Sequence, residues 1–244
     1  MNDYCKVAKM LKDSKKTFVL TGAGISTDSG IPDFRSADSG YWTKMDPMEA
    51  LSVEVLYDRP EQFYKIGYEM LVDMQNKKPN TGHLILAELE DAGLISGVIT
   101  QNIDNLHTYA GSKNVLEVHG NTRKSFCRKC GRVYDFKYLG DYVERGIIPP
   151  ICEHCGGVVR PDVVMFGDPM PVEFERALGE VESSDLLIVI GSSLTVSPVN
   201  YLPTLSERLV IINMTPTPFD QRADVVLNEG ISEALEKIKE CLND

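Results

Sequence analysis

Positive charge is in short supply in this chain. Its 244 residues hold 25 Lys plus Arg against 36 Asp plus Glu, a formal net charge of -11. Binding to phosphate backbones needs clustered cations, so this balance argues against nucleic acid as a partner and favours encounters with basic ones. Cysteine is scarce too: six residues are few for a secreted disulfide scaffold of this length. Long apolar runs are missing, since none approaches the ~18 residues that a membrane span requires. The first turns interleave Lys6, Lys9, Lys12, Lys15 and Lys16 with apolar residues, so no signal-peptide core is expected. Internal repeats and low-complexity tracts are also absent. What remains, 43% hydrophobic and 25% charged residues, is ample for a packed core. The length fits one large domain, or one carrying a small second lobe.

Four short apolar segments read as buried strands: 17–21, 97–100, 185–190 and 209–212. Continuous apolar strands separated by long crossovers predict a parallel sheet with helices on both faces, a Rossmann-like α/β fold. Helical spacing is expected near the N-terminus (Val7, Met10, Leu11), over 82–90, over 174–182 and over 231–242. The stretch 125–160 breaks the alternation with four cysteines, the Tyr134/Phe136/Tyr138 alternation and a Pro149-Pro150 step. Sheet-like segments resume after it, so a small inserted module is predicted.

Those four cysteines form two CxxC pairs, Cys127/Cys130 and Cys152/Cys155, separated by 21 residues. Two such turns bring four thiolates around one ion, the pattern of a structural Zn2+ in a zinc ribbon. Gly131 and Gly156-Gly157 suit the turns that follow each pair. Four cysteine ligands leave no position for a reactive water, and His154 reads as a loop residue. Cys5 and Cys241 stand apart at the two ends, and the whole pattern reads as a metal site in a reducing, cytoplasmic setting.

Directly after the first strand comes Gly22-Ala23-Gly24-Ile25-Ser26, a turn whose amides can approach a pyrophosphate. Thr27 occupies the place of the third glycine of GxGxxG, so the motif is incomplete. Gly30 and Pro32 then interrupt what would be a crossover helix, and the loop is expected to carry Phe34 and Arg35 over a cofactor. On these residues alone a redox enzyme is an equally good reading.

Gly22-Ala23-Gly24-Ile25-Ser26 with Ser29-Gly30-Ile31-Pro32-Asp33-Phe34-Arg35 resembles the signature of the sirtuins, the NAD-dependent protein lysine deacylases. Thr100-Gln101-Asn102-Ile103-Asp104-Asn105-Leu106-His107 resembles their second motif, and Val118-His119-Gly120 the third. Gly191-Ser192-Ser193-Leu194 and Ile212-Asn213 resemble the later cofactor loops, in family order. The resemblance implies that NAD is consumed: the acyl group moves from lysine to ADP-ribose, and nicotinamide and free lysine are released. It implies an NAD-binding domain over 1–124 and 161–244, with a zinc module at 125–160. Acetylated lysine in proteins or peptides is then the partner.

His119 is expected to act as general base, because an imidazole titrates near neutrality. Gly120 beside it is expected to leave room for a ligand. By resemblance, Asp104 and the Ile103 backbone hold the nicotinamide carboxamide, while Asn102 and Gln101 contact ribose and ordered water; Asn102 and Asp104 are counted with His119 as catalytic. Gly22, Ala23, Gly24, Ser26, Thr27, Phe34 and Arg35 are expected to line the cofactor. So are Gly191, Ser192, Ser193, Asn213, Met214 and Ile231. Val163, Val164, Phe166 and Gly167 are expected to wall the acyl-lysine cleft, with Asp168 in place of the family's usual Glu. His83 reads as a surface or packing residue and His107 as part of a structural network. Relatives that remove acidic acyl groups carry Tyr-x-x-Arg; here Tyr64-Lys65-Ile66-Gly67 ends in glycine, which predicts weak desuccinylation. Mono-ADP-ribosylation and an NAD-sensing zinc-ribbon binder stand as alternatives.

Overall fold

The computed structural model describes residues 2–33 and 50–243, so the expectations for Phe34 and Arg35 lie outside the described residues. Helix α1 (Asp3–Asp13) starts where Asn2 Oδ1 accepts the Cys5 amide at 2.8 Å, and it buries Val7, Met10 and Leu11. Strand β1 (Thr17–Thr21) is buried throughout and runs into a 3-10 stretch, Ala23–Ser29. Gly30 ends that stretch in the left-handed region at φ 76°, so the crossover helix stops as expected. Then come α2 (Val53–Asp58), α3 (Tyr68–Met74), α4 (Thr81–Asp91), β2 (Gly97–Thr100), α5 (Leu106–Ala110) and β3 (Val115–Glu117). Strands β4 (Gly120–Cys127), β5 (Val133–Asp135) and β6 (Val159–Val163) follow, with α6 (Lys137–Glu144) between the last two. The chain closes with α7 (Val172–Glu182), β7 (Leu186–Ile190), β8 (Arg208–Ile212), β9 (Val225–Leu227) and α8 (Ile231–Asn243).

Among the described residues, six strands form a parallel sheet in the order β3-β2-β1-β7-β8-β9. Each apolar run serves both faces with a period of two. Val19, Val98, Ile188 and Val210 pack beneath α1, α4 and α8, while Leu20, Ile99, Leu187 and Ile211 meet Phe174, Ala177 and Val181 of α7. That is why these strands read as continuous hydrophobic stretches. The strand order reverses between β1 and β7, which opens a crevice at their carboxyl ends where open α/β sheets bind ligands.

A second, antiparallel sheet in the order β5-β4-β6 carries the cysteines. Its core is larger than the cysteine-rich stretch alone: Phe136, Leu139 and Val159 pack with Val55, Leu56, Phe63 and Leu71 from the helical segment before α4. The small lobe is therefore built from two separate pieces of chain. The expectation of reduced cysteines fails at the chain ends, where Cys5 of α1 and Cys241 of α8 form a disulfide. These helices pack side by side, which brings together two residues 236 positions apart.

Candidate active site

The two loops at the switch point touch through glycine. A Cβ on Gly22 would lie 2.7 Å from the Gly191 carbonyl oxygen, and one on Gly24 would lie 2.7 Å from the Gly191 Cα. Gly191 itself has φ 63°, and its own Cβ would meet the Ile25 nitrogen at 2.5 Å. Gly22 N donates to Ile190 O and Gly24 N to Gly191 O, locking the contact. These three glycines thus answer first to close packing of backbone on backbone, the condition for presenting the neighbouring amides at one crevice.

The loop after β2 meets that turn through side chains. Asn102 Nδ2 donates to Gly22 O and to Ser26 Oγ, both at 3.1 Å, and Ser26 Oγ donates to Asp104 Oδ2 at 2.7 Å. The other Asp104 oxygen accepts the Leu106 amide at 2.9 Å, an i to i+2 turn around Asn105, the N-cap of α5. Ser26, Asn102 and Asp104 are all buried. Burial raises the Asp104 pKa, and the bonds from Ser26 and Leu106 pull it back. Asn102 and Asp104 thus converge on one point, as their two-residue spacing predicted.

His119 stands at the entry to β4. Its Nδ1 lies 3.0 Å from the Gln101 carbonyl oxygen, which can only accept, so Nδ1 carries the proton and Nε2 is left with a lone pair. Burial lowers the ring's pKa, opposed by the bond to Gln101, and the neutral form prevails near neutrality. A neutral ring with an available Nε2 is the state that a general base needs. The reason for Gly120 differs from the expected one. With φ 75°, a Cβ there would lie 2.1 Å from Asp162 O, so it is the neighbouring strand and not a ligand that excludes a side chain.

Gln101 Nε2 donates to Ser192 Oγ at 2.8 Å, tying the loop after β2 to the one after β7, while Ser193 Oγ lies 2.9 Å from Thr195 Oγ1. Asn213 sits at the end of β8 on the same carboxyl edge, its amide held by Thr215, and Met214 beside it is exposed. Ile231 is buried in the sheet core near Ile25 and Gly82. Val163 and Val164 line a cleft of about 420 Å³ together with Gly120, Asn121 and Asp162. Phe166, which is exposed, and Gly167 follow Val164 in the chain but do not line that cleft: Phe166 N donates to Leu51 O, and Val53 N donates to Phe166 O. Asp168 makes two bonds to the buried Arg160 and accepts the Met165 amide, so the shorter acid still closes the loop.

The four paired cysteines converge, with all four Sγ atoms within 4.8 Å of one another. Cys127 and Cys155 are 3.5 Å apart, and Cys130 and Cys152 3.8 Å. Zinc–sulfur bonds of ~2.3 Å in a tetrahedron put sulfurs about 3.8 Å apart, so the cluster fits one Zn2+. Gly131 and Gly156 both adopt φ 70°, and their amides donate to Cys127 O and Cys152 O, two matching turns as the spacing predicted. His154 is exposed and is not part of the cluster.

The sequence pattern that defines the Sir2 family matches residues 22–198. The chain belongs to the Sir2 family. The NAD-dependent protein deacetylase 2 of Caldanaerobacter subterraneus subsp. tengcongensis is 58% identical over 237 residues, which cover 97% of this chain and 95% of that protein. A Sir2 structure with a deacetylated peptide and 3'-O-acetyl-ADP-ribose superposes with a TM-score of 0.92 at 38% identity, covering 98% of each chain. Sir2 bound to acetylated peptide superposes with a TM-score of 0.88 at 38% identity, covering 96% of each.

Several residues of this Sir2-family site escaped the sequence reading. Asn80 caps α4 and also donates to Ile25 O at 2.7 Å and Ser29 Oγ at 3.0 Å, holding the glycine turn from behind. Asn80-Thr81-Gly82-His83 is a capping-box pattern and was the available signal. The His83 and His107 rings lie 4.8 Å apart, tilted at 58° and both buried, with His107 Nε2 bonded to Thr21 Oγ1 at 2.9 Å. Thr21 Oγ1 in turn donates to Thr100 Oγ1, which accepts the Asn102 amide. His107 is thus the network residue expected, and His83 is a packing residue.

Proposed function

We propose that this Sir2-family chain is an NAD-dependent protein lysine deacetylase whose reaction centres on His119. One observation carries the reading: the His119 imidazole is held through Nδ1 by the Gln101 carbonyl, on the same loop whose Asn102 and Asp104 are bonded to Ser26. The residues present fit NAD. Gly22, Ala23, Gly24, Ser26 and Thr27 offer a turn without bulky side chains, Gly191, Ser192 and Ser193 face it, and Asn213, Met214 and Ile231 continue along the same edge. Asp104 is an acceptor suited to a carboxamide NH2, beside the Ile103 backbone and with Gln101 and Asn102 toward the ribose. When bound, NAD would supply the sugar carbon that the acyl oxygen attacks as nicotinamide leaves, and the sugar hydroxyl that ends up carrying the acyl group. His119 accepts a sugar-hydroxyl proton at Nε2 while Gln101 O keeps the ring oriented through Nδ1–H. Val163 and Val164 form the apolar wall for acetyl-lysine, a neutral aliphatic side chain.

Cys127, Cys130, Cys152 and Cys155 hold one structural Zn2+, which organises the module at 125–160 where it packs on the segment before α4. No described helix is long and apolar enough to cross a membrane. The four thiolate ligands favour the cytoplasm, where such ligands stay reduced, and the Cys5–Cys241 disulfide is the exception. Incubation with acetyl-lysine peptide and NAD is expected to yield equal amounts of nicotinamide, acetyl-ADP-ribose and free lysine. Labelled acceptor protein would favour ADP-ribosylation, and intact NAD would favour a binding module.

The acyl preference follows from packing. A Cβ on Gly67 would lie 2.3 Å from Ala50 O, so no arginine fits there without moving the backbone. A succinyl carboxylate would then be buried without a partner. Succinyl-lysine peptide is expected to react far more slowly than acetyl-lysine peptide, and comparable rates would overturn this.

A further inference from the structure

The loop 101–105 is held from two sides, with Gln101 also bonded to Ser192. Its even members, Asn102 and Asp104, turn their side chains to Ser26. Its odd members are tied to the β4 side. Gln101 O meets His119 Nδ1 at 3.0 Å, and Ile103 O accepts Thr122 N at 3.2 Å and Thr122 Oγ1 at 2.9 Å. Asn105 Oδ1 accepts Arg123 Nη1 at 2.6 Å, while its Nδ2 donates to Thr122 Oγ1 at 2.9 Å. These ties hold the backbone from which the Asn102 and Asp104 side chains project.

The last tie is the unusual one. Asn105 has φ 69°, a left-handed backbone that side-chain-bearing residues rarely adopt, and it is buried at 4% exposure, not at a solvent-facing turn. Backbone of this kind persists when its surroundings over-determine it. Arg123 supplies that constraint, and its own position is set by a two-point bond to Glu117, Nη1 to Oε1 at 2.7 Å and Nη2 to Oε2 at 2.6 Å. Asn121 Nδ2 also donates to Glu117 Oε2, at 3.1 Å. Glu117 and Asn121 stand two residues before and two after His119, so one carboxylate links the base's own strand entry to the far end of the loop.

We propose that Arg123, oriented by Glu117, is a positioning residue for NAD. It holds Asn105 in its left-handed conformation and thereby sets Ile103 and Asp104 relative to His119. This rests on the deacetylase reading for the identity of the ligand. An ion pair that only joined two surface residues would leave kinetics untouched; this one borders the cleft of Val163 and Val164 but is bonded through Asn105 to the loop that carries Ile103 and Asp104.

The test compares wild type with Arg123→Ala, Arg123→Lys, Glu117→Gln, Asn105→Gly and Asn105→Ala. It measures NAD affinity by calorimetry, both KM values by steady-state assay, and Tm. Arg123→Ala is expected to weaken NAD binding and raise its KM about tenfold, as a small misplacement of a binding group does, with the peptide KM changed less than about twofold. Arg123→Lys keeps the charge without the planar fork, and Glu117→Gln keeps the shape without the charge; both are expected to fall between wild type and Arg123→Ala. Asn105→Gly, which allows the left-handed backbone, is expected to bind NAD better than Asn105→Ala. Unchanged NAD affinity in Arg123→Ala overturns the proposal, as do NAD and peptide KM values that rise together with a falling Tm. If Arg123→Ala does not fold, Glu117→Gln and Arg123→Lys decide on the same criteria. Calorimetry needs no turnover, so a wild type that binds NAD without deacetylating peptide would retire the deacetylase reading while the variants still decide the role of Arg123.

Discussion

Ser26 and Asp104 lie 78 residues apart in the chain and share a hydrogen bond of 2.7 Å at the floor of the crevice. The hydroxyl donates to the carboxylate and accepts from Asn102, so one small side chain joins the glycine turn to the loop after β2. Because burial raises the Asp104 pKa, this donor is one of the groups keeping the carboxylate ionised.

Ser26→Ala removes that donor. A hydrogen bond to a charged group contributes about 1.5–3 kcal/mol, so the KM for NAD is expected to rise by about one to two orders of magnitude. Steady-state titration of NAD at saturating peptide checks this, and a change below about threefold would detach the pair from cofactor binding.

His119→Ala is expected to abolish deacetylation while leaving the circular dichroism spectrum intact. In the wild type, burial lowers the pKa of His119, so the acid limb of kcat/KM for the free enzyme is expected below the ordinary histidine value of ~6.5. A pH–rate profile losing activity below a midpoint above 7 would assign the base elsewhere.

The buried His83 and His107 make stability depend on pH. Burial pushes His83 down to about 4 and His107 well below its usual value. Their lowered pKa values mean that the unfolded chain binds protons first. Stability is therefore complete above ~6.5 and falls as pH drops toward 4, where folded His83 itself protonates. For His83 alone the loss is about 3 kcal/mol. Denaturant melts at pH 7.5 and pH 5 are expected to show it, with a smaller difference in His83→Gln.

Zinc removal should act on folding. Cys152→Ala, or a strong chelator, is expected to lower Tm markedly and release the ion, because binding energy in a four-cysteine site is folding energy. Metal analysis of the wild type should give one zinc per chain, and an unchanged melting curve after chelation would exclude a structural role.

Much of this was legible before folding was considered. The strands over 17–21, 97–100, 185–190 and 209–212 showed in local apolar content, and the structure differs by at most a residue at their ends. The CxxC pairs showed in spacing, since four ligands two turns apart need little beyond the turns themselves. His119, Asn102 and Asp104 stood out through motif. Asn80, Glu117, Thr122 and Arg123 did not, because a bond from a strand to a distant loop leaves no periodicity near either partner.

By itself, then, the sequence determined four strands of the parallel sheet, four of the helices and the cysteine ligands, all of which rest on patterns within a few turns of chain. Only the tertiary structure decided the rest. It showed that Gly22, Gly24 and Gly191 serve one another, that Gly120 yields to Asp162, and that Cys5 meets Cys241. It also showed that the cysteine lobe borrows its core from the segment before α4. Each of these depends on atoms brought within a few ångströms by the strand order, and that order is a property of the whole fold.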